Sequence, residues 1–146
     1  MSQATIEAGI VATILLNGEF TAANCKLYDR RPLAKGLPKV VVISYNSDSR
    51  EQLTLQVERR KWNYNIDVLV PWRGELAELD TRVGVEAQKV IAVLGQHPRL
   101  NVTTGVQRAD VSTVARPDLI MEAKGVYRGR RHTLEILEYV NPGRAE

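Results

Sequence analysis

Between Arg60 and Trp72 almost every second residue is aromatic or aliphatic. Trp62, Tyr64, Ile66, Val68, Val70 and Trp72 share one parity, while Asn63, Asn65 and Asp67 take the other. Side chains alternate across a strand, so this pattern specifies a strand with one apolar and one polar face. Each such side chain contributes roughly 1.5–3 kcal/mol on burial, before the entropy of ordering is subtracted. A slip of one residue would turn both tryptophans to water, so the register is firmly set. The apolar face needs a cover, and an amphipathic helix is expected on either side of this strand in the chain.

The first helix is expected near residues 5–16, where Ile6, Ile10, Thr13 and Ile14 share one face. Thr5 or Ser2 can cap its start, and Asn17-Gly18 supplies a stop. The second is expected over about Glu75–Leu94. Leu76, Leu79, Val83, Ala87, Val90, Ile91 and Leu94 recur at helical spacing, with Glu78, Asp80, Arg82, Glu86 and Lys89 on the other side. Gly95 ends that helix and Pro98 prevents it from resuming.

The remaining segments carry β texture. Val40-Val41-Val42-Ile43-Ser44-Tyr45 is β-branched and apolar on both parities, which fits a strand covered on both sides or facing another subunit. Asn46-Ser47-Asp48-Ser49 has turn chemistry, and Leu53, Leu55 and Val57 then alternate as a further strand. The apolar parity changes between Val57 and Trp62, which implies a β-bulge or turn across Arg59-Arg60-Lys61. Pro71 marks a strand boundary or an unpaired edge position. Leu100–Val106 and Ala109–Ala115 follow the second helix. Gly129-Arg130-Arg131, between Leu119–Tyr127 and Thr133–Val140, reads as the turn of a C-terminal hairpin.

Residues 19–39 form either a short strand around Asn24–Tyr28 or a long mobile loop, best suited to meeting a partner. The 141–146 tail is expected to fray. The fold class is therefore α/β (α+β). It is a single two-layer domain over residues 1–146, with a mainly antiparallel or mixed sheet covered on one face by two helices and ending in a β-hairpin.

With 146 residues, 44% of them hydrophobic and 25% charged, the chain can bury one real core. It has no apolar run long enough for a membrane span, and its first residues lack the pattern of a signal peptide. Cys25 is alone, which suits a reducing compartment. A net charge of +3 describes a mildly basic, mixed surface.

Catalytic patterns are scarce. His97 and His132 lack metal-ligand spacing, Cys25 lacks an activating constellation, and no glycine-rich phosphate loop occurs. Glu135 and Glu138 read as solvated strand residues. Two basic clusters stand beside aromatics, Arg59-Arg60-Lys61 near Trp62 and Arg128, Arg130, Arg131 with His132 near Tyr127. They serve solubility, contact acidic patches on a neighbouring copy, or bind single-stranded nucleic acid.

A short helix leads into a β region whose last strand is Trp62-Asn-Tyr-Asn-Ile-Asp-Val-Leu-Val. An amphipathic helix follows, then a closing β segment ending Gly129-Arg-Arg-His-Thr-Leu-Glu-Ile-Leu-Glu-Tyr-Val. Over about Ile6–Val140 this succession resembles the tail terminator (tail completion) proteins of long-tailed bacteriophages and prophage particles. The resemblance lies in layout and strand texture.

It implies a non-enzymatic virion tail subunit, assembled in the host bacterial cytoplasm, that needs no cofactor or metal. Its copies would form a ring, of six members in that family, that caps the tail tube and ends its growth. The implied partners are other copies, the tail tube protein and a head-side connector protein; DNA would pass through without sequence-specific contact, and no membrane is involved.

Ring closure needs two different complementary patches on each copy. Val40, Val42 and Tyr45, the bend at Arg59, Arg60 and Lys61, and the turn at Arg128, Arg130 and Arg131 are the candidate contact residues. The alternatives are a head–tail connector or tail-tube subunit, a small nucleic-acid-binding domain using the basic clusters, and, third, a small enzyme. Steep weakening by salt would mark nucleic-acid binding.

Overall fold

A computed structural model describes residues 2–27, 38–72, 75–101, 106–113, 118–122 and 125–140. The elements in chain order are α1 (Gln3–Leu15), β1 (Cys25–Leu27), β2 (Val40–Gln52), β3 (Glu58–Pro71), α2 (Leu76–Gln96), β4 (Val106–Thr113), β5 (Asp118–Glu122) and β6 (Gly125–Val140). The strands join in the order β1-β2-β3-β6-β4, and β5 also pairs with β6. Only β1–β2 is parallel among the described pairs, so the sheet is mixed and mainly antiparallel, as expected.

The alternating stretch is the central strand. β3 pairs with β2 along one edge and with β6 along the other over its whole length, from Glu58↔Val140 to Pro71↔Tyr127. Its even-numbered residues face both helices. Trp62, Tyr64, Ile66 and Val68 lie in one cluster with Val41 and Ile43 of β2 and Leu134 and Ile136 of β6. Ile6, Ile10 and Ile14 of α1 and Ala87, Val90 and Leu94 of α2 close that cluster from above.

Ser2 caps α1, its Oγ accepting from the Thr5 backbone N–H at 3.2 Å. Gly18 ends the turn after the helix with φ +65°, a conformation glycine takes at little cost. α2 runs past Gly95 to Gln96. There the His97 Nδ1–H donates to the Val93 carbonyl at 2.9 Å, so a side chain and not glycine satisfies the helix end. The helices are pinned at their margin by charge: Lys39 reaches Glu86 at 2.9 Å, and Lys89 reaches Glu19 at 2.9 Å.

Several local expectations are corrected. Asn46–Ser49 is strand, not turn, because β3 residues from Lys61 to Asn63 pair with it. The turn lies at Leu53–Val57, where Leu53 N–H donates to the Val57 carbonyl at 3.0 Å. The Thr54 hydroxyl accepts there from Gln56 and Val57 N–H groups. No separate strand forms at Leu53–Val57; β2 and β3 make one long hairpin. The irregularity expected at Arg59–Lys61 sits instead on β2, between Tyr45 and Ser47, where Asn46 is the extra residue.

Trp72 leaves the buried stripe: it follows the end of β3 and is 42% exposed. The C-terminal hairpin exists as β5–β6, but Gly129-Arg130-Arg131 is not its turn. β6 passes straight through those residues, held by β3 and β5 on its two edges, and Glu122↔Gly125 closes the hairpin. Of the 19–39 segment, residues 25–27 form β1, while 28–37 lie outside the described residues, as does the 141–146 tail.

The helix layer is the most direct test of this packing. Ile10→Ala removes a fully buried side chain at the α1–sheet contact and is expected to cost about 2–5 kcal/mol. Leu55→Ala, at a position 95% exposed, is expected to change stability by less than about 0.5 kcal/mol. Urea unfolding of the two variants beside the parent chain measures both.

Candidate functional site

β1 pairs with β2 only from Val41 to Ile43. Beyond that point β2 and β3 continue as a ledge, backed by β6 down to Val140. The bulge at Asn46 brings Tyr45 and Asp48 to the side of the sheet that carries Trp62 and Tyr64. The Tyr45 ring meets Trp62 edge-on at 6.4 Å and Tyr64 at 5.9 Å.

The Tyr45 hydroxyl donates to Asp48, and the Arg60 Nε and Nη2 donate to the Asp48 Oδ2 at 3.2 and 3.1 Å. Arg60 also lies over the Trp62 ring at 3.8 Å, a cation–π contact. The hydrogen bond from Tyr45, and after it those from Arg60, hold the Asp48 carboxyl below its ordinary range. Trp62 Nε1 donates to Glu138 Oε1 at 3.2 Å, and the Tyr64 hydroxyl donates to Glu7 Oε2 of α1 at 3.2 Å. Burial first, then the Glu7 charge, pushes the Tyr64 hydroxyl upward.

The expected contact residues do not converge on one patch. Val40 and Val42 are fully buried on the sheet's second face, clustered with Leu69 and Tyr127. They offer a neighbour no surface in the chain as folded. Tyr45 is 42% exposed on the ledge. Strand alternation splits Arg59-Arg60-Lys61: Arg60 stands on the helix side, and Arg59 and Lys61 on the other.

The second basic cluster divides likewise, with Arg128 and Arg130 on the helix side and Arg131 opposite. By register the two clusters are well separated, since Lys61 faces Leu137 whereas Asp67 faces Arg131. Most of these cations are matched by carboxylates. Arg59 pairs with Glu51, Lys61 with Glu135 at 3.7 Å, Arg128 with Asp80 at 2.7 Å and Arg131 with Asp67 at 2.8 Å.

Three acidic residues central to this surface escape a reading of the sequence. Asp48 hides in a run that resembles a turn. Asp67 is 5% exposed beneath the bidentate Arg131, although its parity marks it as polar. Glu138 is 2% exposed, not solvated, while Glu135 lies on the opposite face. The parity it shares with Leu134 and Ile136 is the signal that places it inward.

Among the described residues no three His, Cys, Asp or Glu side chains cluster to hold a metal ion. A depression of about 210 Å³ at the exit of α2 is lined by Gln96, His97, Pro98, Arg99 and Asn101, a single stretch of chain. No helix among the described residues is long and apolar enough to cross a membrane. Compared with protein-family models and with curated protein sequences, the chain matches none.

His132 has a structural place in mid-strand, buried on the helix side opposite Ile66. Burial, with the Arg130 charge adding to it, lowers its pKa. The unfolded chain therefore binds a proton more readily than the folded one. This contribution to stability is full above the ordinary histidine value and is lost as pH falls through it toward the depressed folded value. The unfolding midpoint is expected to drop between pH 7.5 and 5. A His132→Leu variant, compared by thermal melts over the same range, is expected to show a shallower drop.

Proposed function

We propose that this protein is a structural subunit that works as a homo-oligomeric ring, capping a phage tail tube, ending its growth and offering a surface for head attachment. One observation carries the reading. The far end of the β2–β3–β6 ledge leaves large apolar side chains in water, with Leu53 44%, Leu55 95% and Tyr139 48% exposed. Tyr139 pairs in register with Arg59, close to the Leu53–Val57 turn, so the three gather at one end of the sheet. Exposed apolar groups gathered in this way suit contact with another protein surface.

The layout from α1 through the aromatic β3 to α2 and the closing β5–β6 hairpin supports the same reading, since it is the layout that resembles tail terminators. In this role the chain acts by shape, in a virion tail put together in the bacterial cytoplasm, and makes or breaks no bond itself. The tail tube and a head-side connector are its partners on the two faces of the ring. The ion pairing of Arg59, Arg60, Lys61, Arg128 and Arg131 weighs against the nucleic-acid reading, because matched guanidinium groups leave less free charge for phosphates.

Sedimentation velocity and negative-stain imaging test the proposal. Closed rings of one diameter are expected, alone or on tube ends. A strict monomer that binds oligonucleotides tightly at low salt would overturn it. Leu53→Asp with Leu55→Asp is expected to raise the concentration needed for assembly at least ~10-fold. The thermal midpoint should stay nearly unchanged, because both side chains are solvent-facing at the turn.

A further inference from the structure

Helix α1 is apolar on both of its faces. Ile6, Ile10 and Ile14 face the core and are fully buried. The opposite face carries Ala4, Ala8, Val11, Ala12 and Leu15, and Leu16 at the helix end is 49% exposed. Thr5 flanks this outer face, and no charged residue stands on it. Glu7, the one ionisable side chain between Gln3 and Leu15, turns toward the sheet and accepts from the Tyr64 hydroxyl at 3.2 Å. A helix face meant for water ordinarily carries charge, whereas a helix that is apolar all round is a covered one. Val85 of α2 shows the ordinary case: it is 50% exposed, but it stands one turn from both Arg82 and Lys89.

The outer face of α1 shares its freedom from charge with the Leu53–Val57 turn, which reads Leu-Thr-Leu-Gln-Val. The two surfaces lie apart within one copy. Glu7 meets Tyr64, while Glu19, just beyond the helix, meets Lys39 at 3.5 Å, next to the Val40 that pairs with Leu69. Helix α1 therefore runs away from the turn. From Tyr64 back to Glu58, where the turn gives way to β3, the strand spans about 20 Å. Neither surface can cover the other inside one chain.

Contact between copies can cover them in three ways. Setting α1 on α1, or turn on turn, pairs like with like about a two-fold axis and leaves the other surface in water. Setting the turn of one copy on α1 of the next covers both with one heterologous contact, the kind a ring repeats until it closes. The match is also electrostatic, since neither surface brings an ion that the other would strip of water. Alanines at 4, 8 and 12 leave shallow ground for the bulky Leu53 and Leu55, so large side chains meet small ones.

Resting on the ring reading above, we infer that the Leu53–Val57 turn of one copy docks on the outer face of α1, from Ala4 to Leu16, in the next. The exposed leucines at the end of the sheet and the charge-free helix are then the two halves of one repeated interface.

Cysteines at Leu55→Cys and Ala12→Cys in one chain test the docking. Their spacing within one copy is well beyond the Cα separation of about 7 Å that a disulfide tolerates, so the bond can form only between copies. Burial pushes the native Cys25 thiol up to about 12, which keeps it out of the reaction. Mild oxidation is expected to convert the double variant into a reductant-sensitive ladder ending at the size of the ring, with neither single variant doing so. Efficient dimerisation of Ala12→Cys alone would overturn the docking in favour of α1 pairing with itself.

Ala8→Lys places a charge at the centre of the outer face and is expected to weaken assembly at least ~10-fold. The thermal midpoint should stay nearly unchanged, because Ala8 is exposed, and the uncharged Ala8→Ser should assemble like the parent. Rings of normal diameter that neither cross-link nor respond to Ala8→Lys would overturn the docking and leave the ring standing. Failure of the parent chain to form any closed oligomer would overturn both.

Discussion

Everything in this molecule is built outward from β3, which gives up both backbone edges and one whole face to its neighbours. β2 and β6 take the two edges, and α1 and α2 cover the face that carries Trp62, Tyr64, Ile66 and Val68. The alternation of apolar and polar residues makes the arrangement a single solution. Moving β3 by one residue would bury Asn63 and Asn65 beneath two helices and expose both the Trp62 and Tyr64 rings. The polar contacts reinforce the same register, because the Trp62 indole and the Tyr64 hydroxyl reach acceptors on β6 and α1 only from these positions.

What can be read from the residues follows from how local the cause is. Helix α1 declares itself through Ser2, its isoleucine stripe and Gly18, all within a few positions of one another. Helix α2 does so through its longer stripe. The β2–β3 hairpin is less legible because its cause is distant: Asn46–Ser49 looks like a turn until β3 lies beside it. Leu53, Leu55 and Val57 alternate as if in a strand, yet they form the turn and its flank, and the parity change across them marks a reversal of the chain. Gly129 misleads for a similar reason, since support from two neighbouring strands outweighs a glycine's local preference. At the candidate surface, the basic clusters were visible as charge, but the carboxylates that match them come from other elements and appear only after folding.

These carboxylates change the meaning of the basic residues. Arg128 ties β6 to Asp80 on α2, and Arg131 covers the nearly buried Asp67 in mid-sheet. On the ledge, Arg60 is held between the Trp62 ring and Asp48, which in turn accepts from Tyr45. Such links stiffen the part of the β2–β3 hairpin that runs beyond β1. Stiffness of this kind favours docking, because a surface already held in its bound shape loses less freedom on association.

The pairing of β3 with β6 also has a bearing on how the chain reaches its native state. Trp62 meets Ile136 across more than seventy intervening residues, and β6 is the last described strand in the chain. During synthesis the β2–β3 hairpin emerges early, with its aromatic side still lacking the strand that completes it. Closing so wide a loop is entropically costly and slows the search. The nascent protein therefore spends a substantial part of its translation with sticky surface uncovered, a period in which a ribosome-associated chaperone would have something to hold.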